Sequence, residues 1–383
     1  MSRQRSFLRC HNFRFAAAVL LMCFVSASFA LAQSAFVYVS SSPSQNQYQI
    51  NAFRAASNGK LTPVQGSPFP ASVLSMAVNS KYLFGTDDVH IYSFSIASDG
   101  ALQQVSSINA QRHNQGDCGG PVALFLDHTG STLYDEDFYG NICANNPYQF
   151  FTVDNSTGQL TYLGVTDAAS PAFNVPLSFT GNNDFAYSST CYHINAWLFG
   201  FQRSSDGSLT EVNNNPAMPK AQKEMGFCPF LASGDPTNHV AVSVQEYNGS
   251  WQPVAPPQIA TYTADSSGNL TTKSTYWNMP TSAVNEVTDI MMSPSGKLIA
   301  VGGTGGLQIF HFNGAQPATH YTALLTRDAV DQFFWDNDNH LYAISHTAGK
   351  LFVFTITPMS VKQAQGSPYS ISNPDYIIVL PKK

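Results

Sequence analysis

Residues 121–163 read PVALFLDHTGSTLYDEDFYGNICANNPYQFFTVDNSTGQLTYL. Three apolar runs stand out, Pro121 to Asp127, Ser131 to Asp135 and Tyr148 to Val153, each rich in Val, Leu, Phe or Tyr and short enough to be a strand. Between them lie Asp, Asn, Thr and Gly, the residues that turn a chain. Gly158-Gln159-Leu160 then opens a weaker fourth strand, with Gly supplying a positive-φ turn position. The stretch predicts one four-stranded antiparallel sheet with no helix.

The same order recurs along the chain. First strands are expected to begin at Val73, Val122, Val175, Cys228, Val287, Val330 and Asp375, at intervals of 43 to 59 residues. Third strands recur at Ile50 to Phe53, Ile91 to Ile96, Leu198 to Gln202, Ile259 to Thr263, Leu307 to Phe312 and Leu351 to Ile356. Gly59-Lys60-Leu61, Gly100-Ala101-Leu102, Gly207-Ser208-Leu209 and Gly268-Asn269-Leu270 repeat the turn at Gly158. A sheet this small cannot bury its faces alone, so repeats of this length read as blades packed in a ring. The expected fold is an all-β, seven-bladed β-propeller. The chain opens on a second strand, Phe36 to Val39, and ends on a first strand, Tyr376 to Leu380, so the two termini should share one blade and close the ring. A two-domain β-sandwich would not keep so constant a register.

The chain has 383 residues, 43% hydrophobic and only 11% charged. Residues 1–32 read as an export signal, with Arg3, Arg5, Arg9 and Arg14 ahead of an apolar run from Phe15 to Leu31 and the small-x-small site Ala30-Leu31-Ala32. Residues 33–383 are then a single propeller domain, expected in the periplasm or outside the cell. This portion keeps 14 basic against 24 acidic residues. That balance, without a basic run, argues against nucleic acid and against an anionic membrane surface. Cys118, Cys143, Cys191 and Cys228 remain in an oxidising context, where three pairings are possible by count. Strand order narrows these, because Cys118 and Cys143 fall at one end of one sheet and Cys191 and Cys228 at the same end of successive sheets. Disulfides Cys118–Cys143 and Cys191–Cys228 are expected, with a zinc site as the competing reading.

The sequence resembles the bacterial lactonase-type, or YVTN-repeat, seven-bladed propellers, which include 6-phosphogluconolactonases and a muconate-lactonising cyclase. The resemblance rests on Phe36-Val37-Tyr38-Val39-Ser40-Ser41, the Gly-x-Leu turns, the paired Gly66-Ser67-Pro68-Phe69 and Gly366-Ser367-Pro368-Tyr369, and Ser293-Pro294-Ser295-Gly296-Lys297. It implies the propeller over the whole of 33–383 and, by family, lactone hydrolysis. Lactonases of the family usually carry Gly-Pro-Arg-His and then Asn-Glu. Here the comparable stretches are Gly226-Phe227-Cys228-Pro229-Phe230 and Gln245-Glu246, so the Glu is kept and the Arg-His pair is absent. Neither Phe nor Cys can replace an arginine that grips an anion through two parallel contacts.

Fourth-to-first and second-to-third connections of a propeller emerge on one face. There the sequence places Arg112, His113, Asp117, His193, Lys223, Glu224, Glu246, Glu286, Arg327, Asp328 and His346. Arg112, His113, Glu246, Arg327 and His346 are the candidate catalytic set, since an Arg could hold an anion while a His acts as base toward water. No HExxH, CxxC, phosphate-binding Gly loop or Gly-x-Ser-x-Gly occurs, so no metal and no cofactor is expected. Asp336-Asn337-Asp338-Asn339 reads as a hairpin turn, and Asp135-Glu136-Asp137 as a solvated acidic cluster. Two functions follow from these readings. One is an exported monomeric binding or scaffold propeller that takes a protein, glycan or small ligand on its loop-rich face, where the insertion Ser243 to Pro257 carries Trp251. The other is a lactonase-like hydrolase with a rearranged site.

Overall fold

A computed structural model describes residues 32–87, 89–110, 117–139, 147–167, 177–192, 195–213 and 216–382. The expected signal segment lies outside them except for Ala32. Seven four-stranded antiparallel sheets form a propeller ring, and the described residues contain no helix. The innermost strands, numbered here by blade from 1 to 7, are Ser75–Val78, Asp117–Leu126, Ser178–Phe179, Gly226–Gly234, Val287–Met292, Gln332–Trp335 and Pro374–Pro381. Blade 7 closes the ring as the sequence predicts. Its inner strand comes from the C-terminus and pairs with Gln33–Ser44 from the N-terminus, Tyr38 opposite Ile378.

The second strands of blades 1, 5 and 6, Tyr82–Thr86, Leu298–Gly303 and His340–Ser345, are buried over their whole length. Each lies in mid-sheet with a neighbouring blade over both faces, which is why these runs are nearly continuously apolar. The core is accordingly a series of layers between successive blades. Val37 and Val39 of blade 7 pack with Tyr342, Ile344 and Leu351 of blade 6. Phe36 and Tyr38 pack on the other side with Met76, Leu83 and Phe94 of blade 1. This burial corrects one expectation. Asp135 and Glu136 are not a solvated cluster, because their strand, Thr132–Tyr139, is a second strand and both side chains are fully covered. Glu136 pushes the phenol pKa of buried Tyr148 up further, after the larger effect of desolvation.

The turn signals are met. Gly59, Gly100, Gly158, Gly207 and Gly268 all have positive φ, between 76° and 93°. The two Gly-Ser-Pro repeats form matching hooks on blades 7 and 6. The Ser67 hydroxyl accepts the N–H of Ala52, and the Ser367 hydroxyl accepts that of Val353, each from a third strand. Asp336 to Asn339 do join a first to a second strand. The Asp336 carboxylate accepts the N–H groups of Asp338 and His340 and contacts the His340 ring, Ser34 and Tyr342. Burial pushes that carboxyl pKa up, but these partners outweigh it and hold it below the usual range.

Candidate functional site

On the loop-rich face the described candidates have separate partners. Glu246, at the end of the second strand of blade 4, is fully buried. Gln222 holds both of its oxygens, donating from its backbone N–H at 2.7 Å and from its side-chain amide at 2.8 Å. His346 lies on blade 6, where its Nδ1 is 3.2 Å from Asp375 and 3.1 Å from the Pro374 carbonyl. Arg327 is exposed, and its neighbour Asp328 pairs with Lys350 at 2.7 Å. Lys223 and Glu224 pair with each other in solvent. Glu286, also exposed, adds to burial in raising the phenol pKa of Tyr247. Arg112, His113, His193 and Cys143 lie outside the described residues, as do the side chains of Asp117 and Cys118. The second expected disulfide is present: Cys191, near the end of a second strand of blade 3, is bonded to Cys228 of the blade 4 inner strand.

What the same face does assemble is aromatic surface above blade 4. Three connections meet there, residues 216–225, 248–257 and 273–286. In the second, Trp251 packs 5.1 Å from Tyr247, which in turn lies 6.4 Å from Phe230. In the third, Tyr276 meets Trp277 edge to face at 4.8 Å, and Trp277 is 82% exposed. The first connection ties the others down. Gln222 grips Glu246 under the Trp251 hairpin, and the Lys220 carbonyl accepts the N–H of Tyr276. The buried carboxylate singled out as a catalytic candidate thus holds the 216–225 connection, which in turn bonds the Tyr276 loop through Lys220.

A second feature is the central channel. A cavity of about 320 Å³ is lined by inner strands of all seven blades and is mainly apolar, with Met76, Leu124, Phe125, Ile290, Phe334 and Ile378 in its wall. Polar side chains on these strands stitch neighbouring blades. Ser75 accepts the N–H of Leu124, Ser178 that of Gly234, Ser233 that of Met292, Asp289 that of Phe333 and Gln332 that of Ile377. Desolvation pushes the Asp289 carboxyl up to about 7, although the N–H groups of Phe333 and Ile290 pull it down. Tyr376, hydrogen-bonded with Ser75 and Gln332, is raised by burial and by the charge of Asp289. Sequence reasoning passed over Asp289. The available signal was a lone acid, Val287-Thr288-Asp289-Ile290-Met291-Met292, in a stretch assigned as the first strand of its blade.

No family model matches the sequence, and no curated protein matches it. Solved structures do resemble its fold. A protein of Bacteroides uniformis, named as a proposed 6-phosphogluconolactonase, is 12% identical with a TM-score of 0.65, over 91% of this chain and 100% of its own. A periplasmic gluconolactonase of Pseudomonas aeruginosa is 12% identical with a TM-score of 0.64, over 91% of this chain and 99% of its own. Sqt1 of Chaetomium thermophilum, solved bound to the N-terminus of ribosomal protein L10, is 14% identical with a TM-score of 0.51, over 80% and 77%. At these identities the similarity is one of fold: the chain is a seven-bladed propeller of the shape that lactonases also use.

Proposed function

We propose that this protein is an exported binding propeller whose recognition surface is the aromatic face above blade 4. The observation that carries the reading is the pairing of Tyr247 with Trp251 and of Tyr276 with exposed Trp277, on loops anchored by Gln222 and Lys220. Large rings held on a rigid scaffold contribute contact area at little entropic cost, and their flat faces stack on the apolar faces of sugar rings. Ser250 and Gln252 are exposed in the Trp251 loop and offer hydrogen bonds to hydroxyls, while the Asn248 oxygen and the Asn278 amide hold the backbone of their own loops. A glycan is therefore the ligand class proposed, bound by a monomer in the periplasm or outside the cell. The Cys191–Cys228 disulfide supports an oxidising compartment.

Lactone hydrolysis is the second reading, favoured by the names of the Bacteroides and Pseudomonas neighbours. Against it stand the missing Arg-His pair and the engagement of Glu246 by Gln222. Fold alone does not carry chemistry. The test is to follow proton release from glucono-δ-lactone at rising protein concentration, and to titrate the protein with gluco-, xylo- and chito-hexaose while recording tryptophan fluorescence. The expected result is no protein-dependent lactone opening, and a saturable fluorescence change that Trp251→Ala and Trp277→Ala abolish. Lactone turnover proportional to protein would replace this reading with the second.

A further inference from the structure

The central channel is independent of the loop-face surface and raises a separate question, since its wall is mainly apolar yet holds a carboxylate with no cationic partner among the described residues. Two acids line the cavity. Asp127 is paired with Arg203 at 2.6 Å. Asp289 has no cationic partner among the described residues; its protein hydrogen bonds come from the backbone N–H groups of Phe333, at 3.1 Å, and Ile290. It is nevertheless partly accessible, and that accessibility is to the cavity it lines.

We propose that the channel is a binding site for a small protonated amine with an apolar body, its ammonium group paired with the Asp289 carboxylate. Such a ligand supplies what the wall lacks, a cation, and matches what the wall has. Phe125 and Phe334 offer aromatic surface, and Met76, Leu124, Ile290 and Ile378 aliphatic surface, in a volume at the lower end of small-molecule pockets. A hard metal ion fits less well, because it asks for six or more oxygens. Here the Ser178, Ser233 and Gln332 oxygens already accept backbone N–H groups. A neutral sugar would leave most of its hydroxyls unpaired against the apolar wall. The channel cavity adjoins another toward the end opposite the loop-rich face. A second cavity of about 370 Å³, among the first-to-second-strand turns at Asp235 to Pro236 and Ser293 to Pro294, shares Met291 and Phe334 with the first.

The experiment is a calorimetric titration of the full chain at neutral pH with phenethylamine and, separately, with 2-phenylethanol, its neutral counterpart of similar shape. The expected result is one saturable site that prefers the amine by about tenfold or more. Asp289→Asn should remove that preference while leaving alcohol binding unchanged. The Asn keeps an oxygen for the Phe333 N–H, and the amine-against-alcohol comparison on the native protein does not depend on the variant folding. Equal affinity for the two probes, no amine binding up to roughly 10 mM, or amine binding indifferent to Asp289→Asn would each overturn the proposal.

Discussion

The Tyr38 phenol donates a 3.0 Å hydrogen bond to the carbonyl of Gly100, joining the second strand of blade 7 to the third-to-fourth hairpin of blade 1. The same bond recurs between Tyr134 and Gly207 at 2.7 Å and between Tyr187 and Gly268 at 3.0 Å. In each case the glycine also lies against the residue two before the tyrosine. A Cβ on Gly100 would come within 2.4 Å of the Phe36 ring, one on Gly207 within 2.6 Å of Thr132, and one on Gly268 within 2.5 Å of Phe185. The tyrosine of the second strand and the glycine of Gly-x-Leu are therefore two halves of one lock between blades.

Gly100→Ala should cost about 2–4 kcal/mol, since the new methyl group meets a buried aromatic ring at a φ of +91° that side chains rarely adopt. Tyr38→Phe keeps the packing and leaves the Gly100 carbonyl without its donor, a loss of about 1–2 kcal/mol. Urea unfolding of both variants checks the order; a Gly100→Ala protein as stable as the parent would show that the hairpin can move away from Phe36.

Cys191 and Cys228 are 37 residues apart and join blade 3 to blade 4. Closing a loop of that length in the unfolded chain is worth roughly 3–4 kcal/mol on the chain-entropy account. The double variant Cys191→Ala/Cys228→Ala is expected to unfold at lower denaturant by about that margin. Thiol titration of the native protein under denaturing, non-reducing conditions should find neither of these two cysteines reactive.

Asp289 sets a pH dependence whose sign follows from its pKa, raised in the folded state from the ordinary carboxyl value to about 7. The unfolded chain loses this proton first as pH rises. The contribution of Asp289 to stability is therefore greatest below the unfolded pKa, falls between about pH 4 and 7, and is level above that. Asp289→Asn removes the effect and should stabilise the protein by about 1–3 kcal/mol at pH 8 while changing little near pH 4. The titratable groups beside it in the cavity wall are Tyr376, whose phenol is raised, and Asp127, paired with Arg203. Thermal melts of parent and variant at the two pH values measure the difference; an equal shift at both would mean that Asp289 does not titrate in this range.

The blades were legible because their marks are local. The glycine of each Gly-x-Leu turn, the apolar second strand and the order of strands are written within about fifty residues and repeated. The Cys191–Cys228 bond was legible for the same reason, since strand order puts both sulfurs at one end of adjacent blades. Asp135 and Glu136 misled because an acid at a strand end usually faces water, and only the neighbouring blades bury these. Glu246 was legible as a residue of interest but not in its role, because Gln222, the group that holds it, comes from a loop 24 residues earlier with no motif to announce it.

The sequence by itself determined the repeat, the number of blades and the closure of the ring, because hydrophobic pattern and turn chemistry act between near neighbours along the chain. The tertiary structure alone decided which polar groups face one another across blades. It set Asp289 against the channel with no cation beside it among the described residues, locked Tyr38 onto Gly100 and joined two tryptophan-bearing connections above blade 4 through the Ser282–Pro257 backbone bond. Burial and electrostatic environment depend on what covers a residue, and in a propeller the cover comes from another blade.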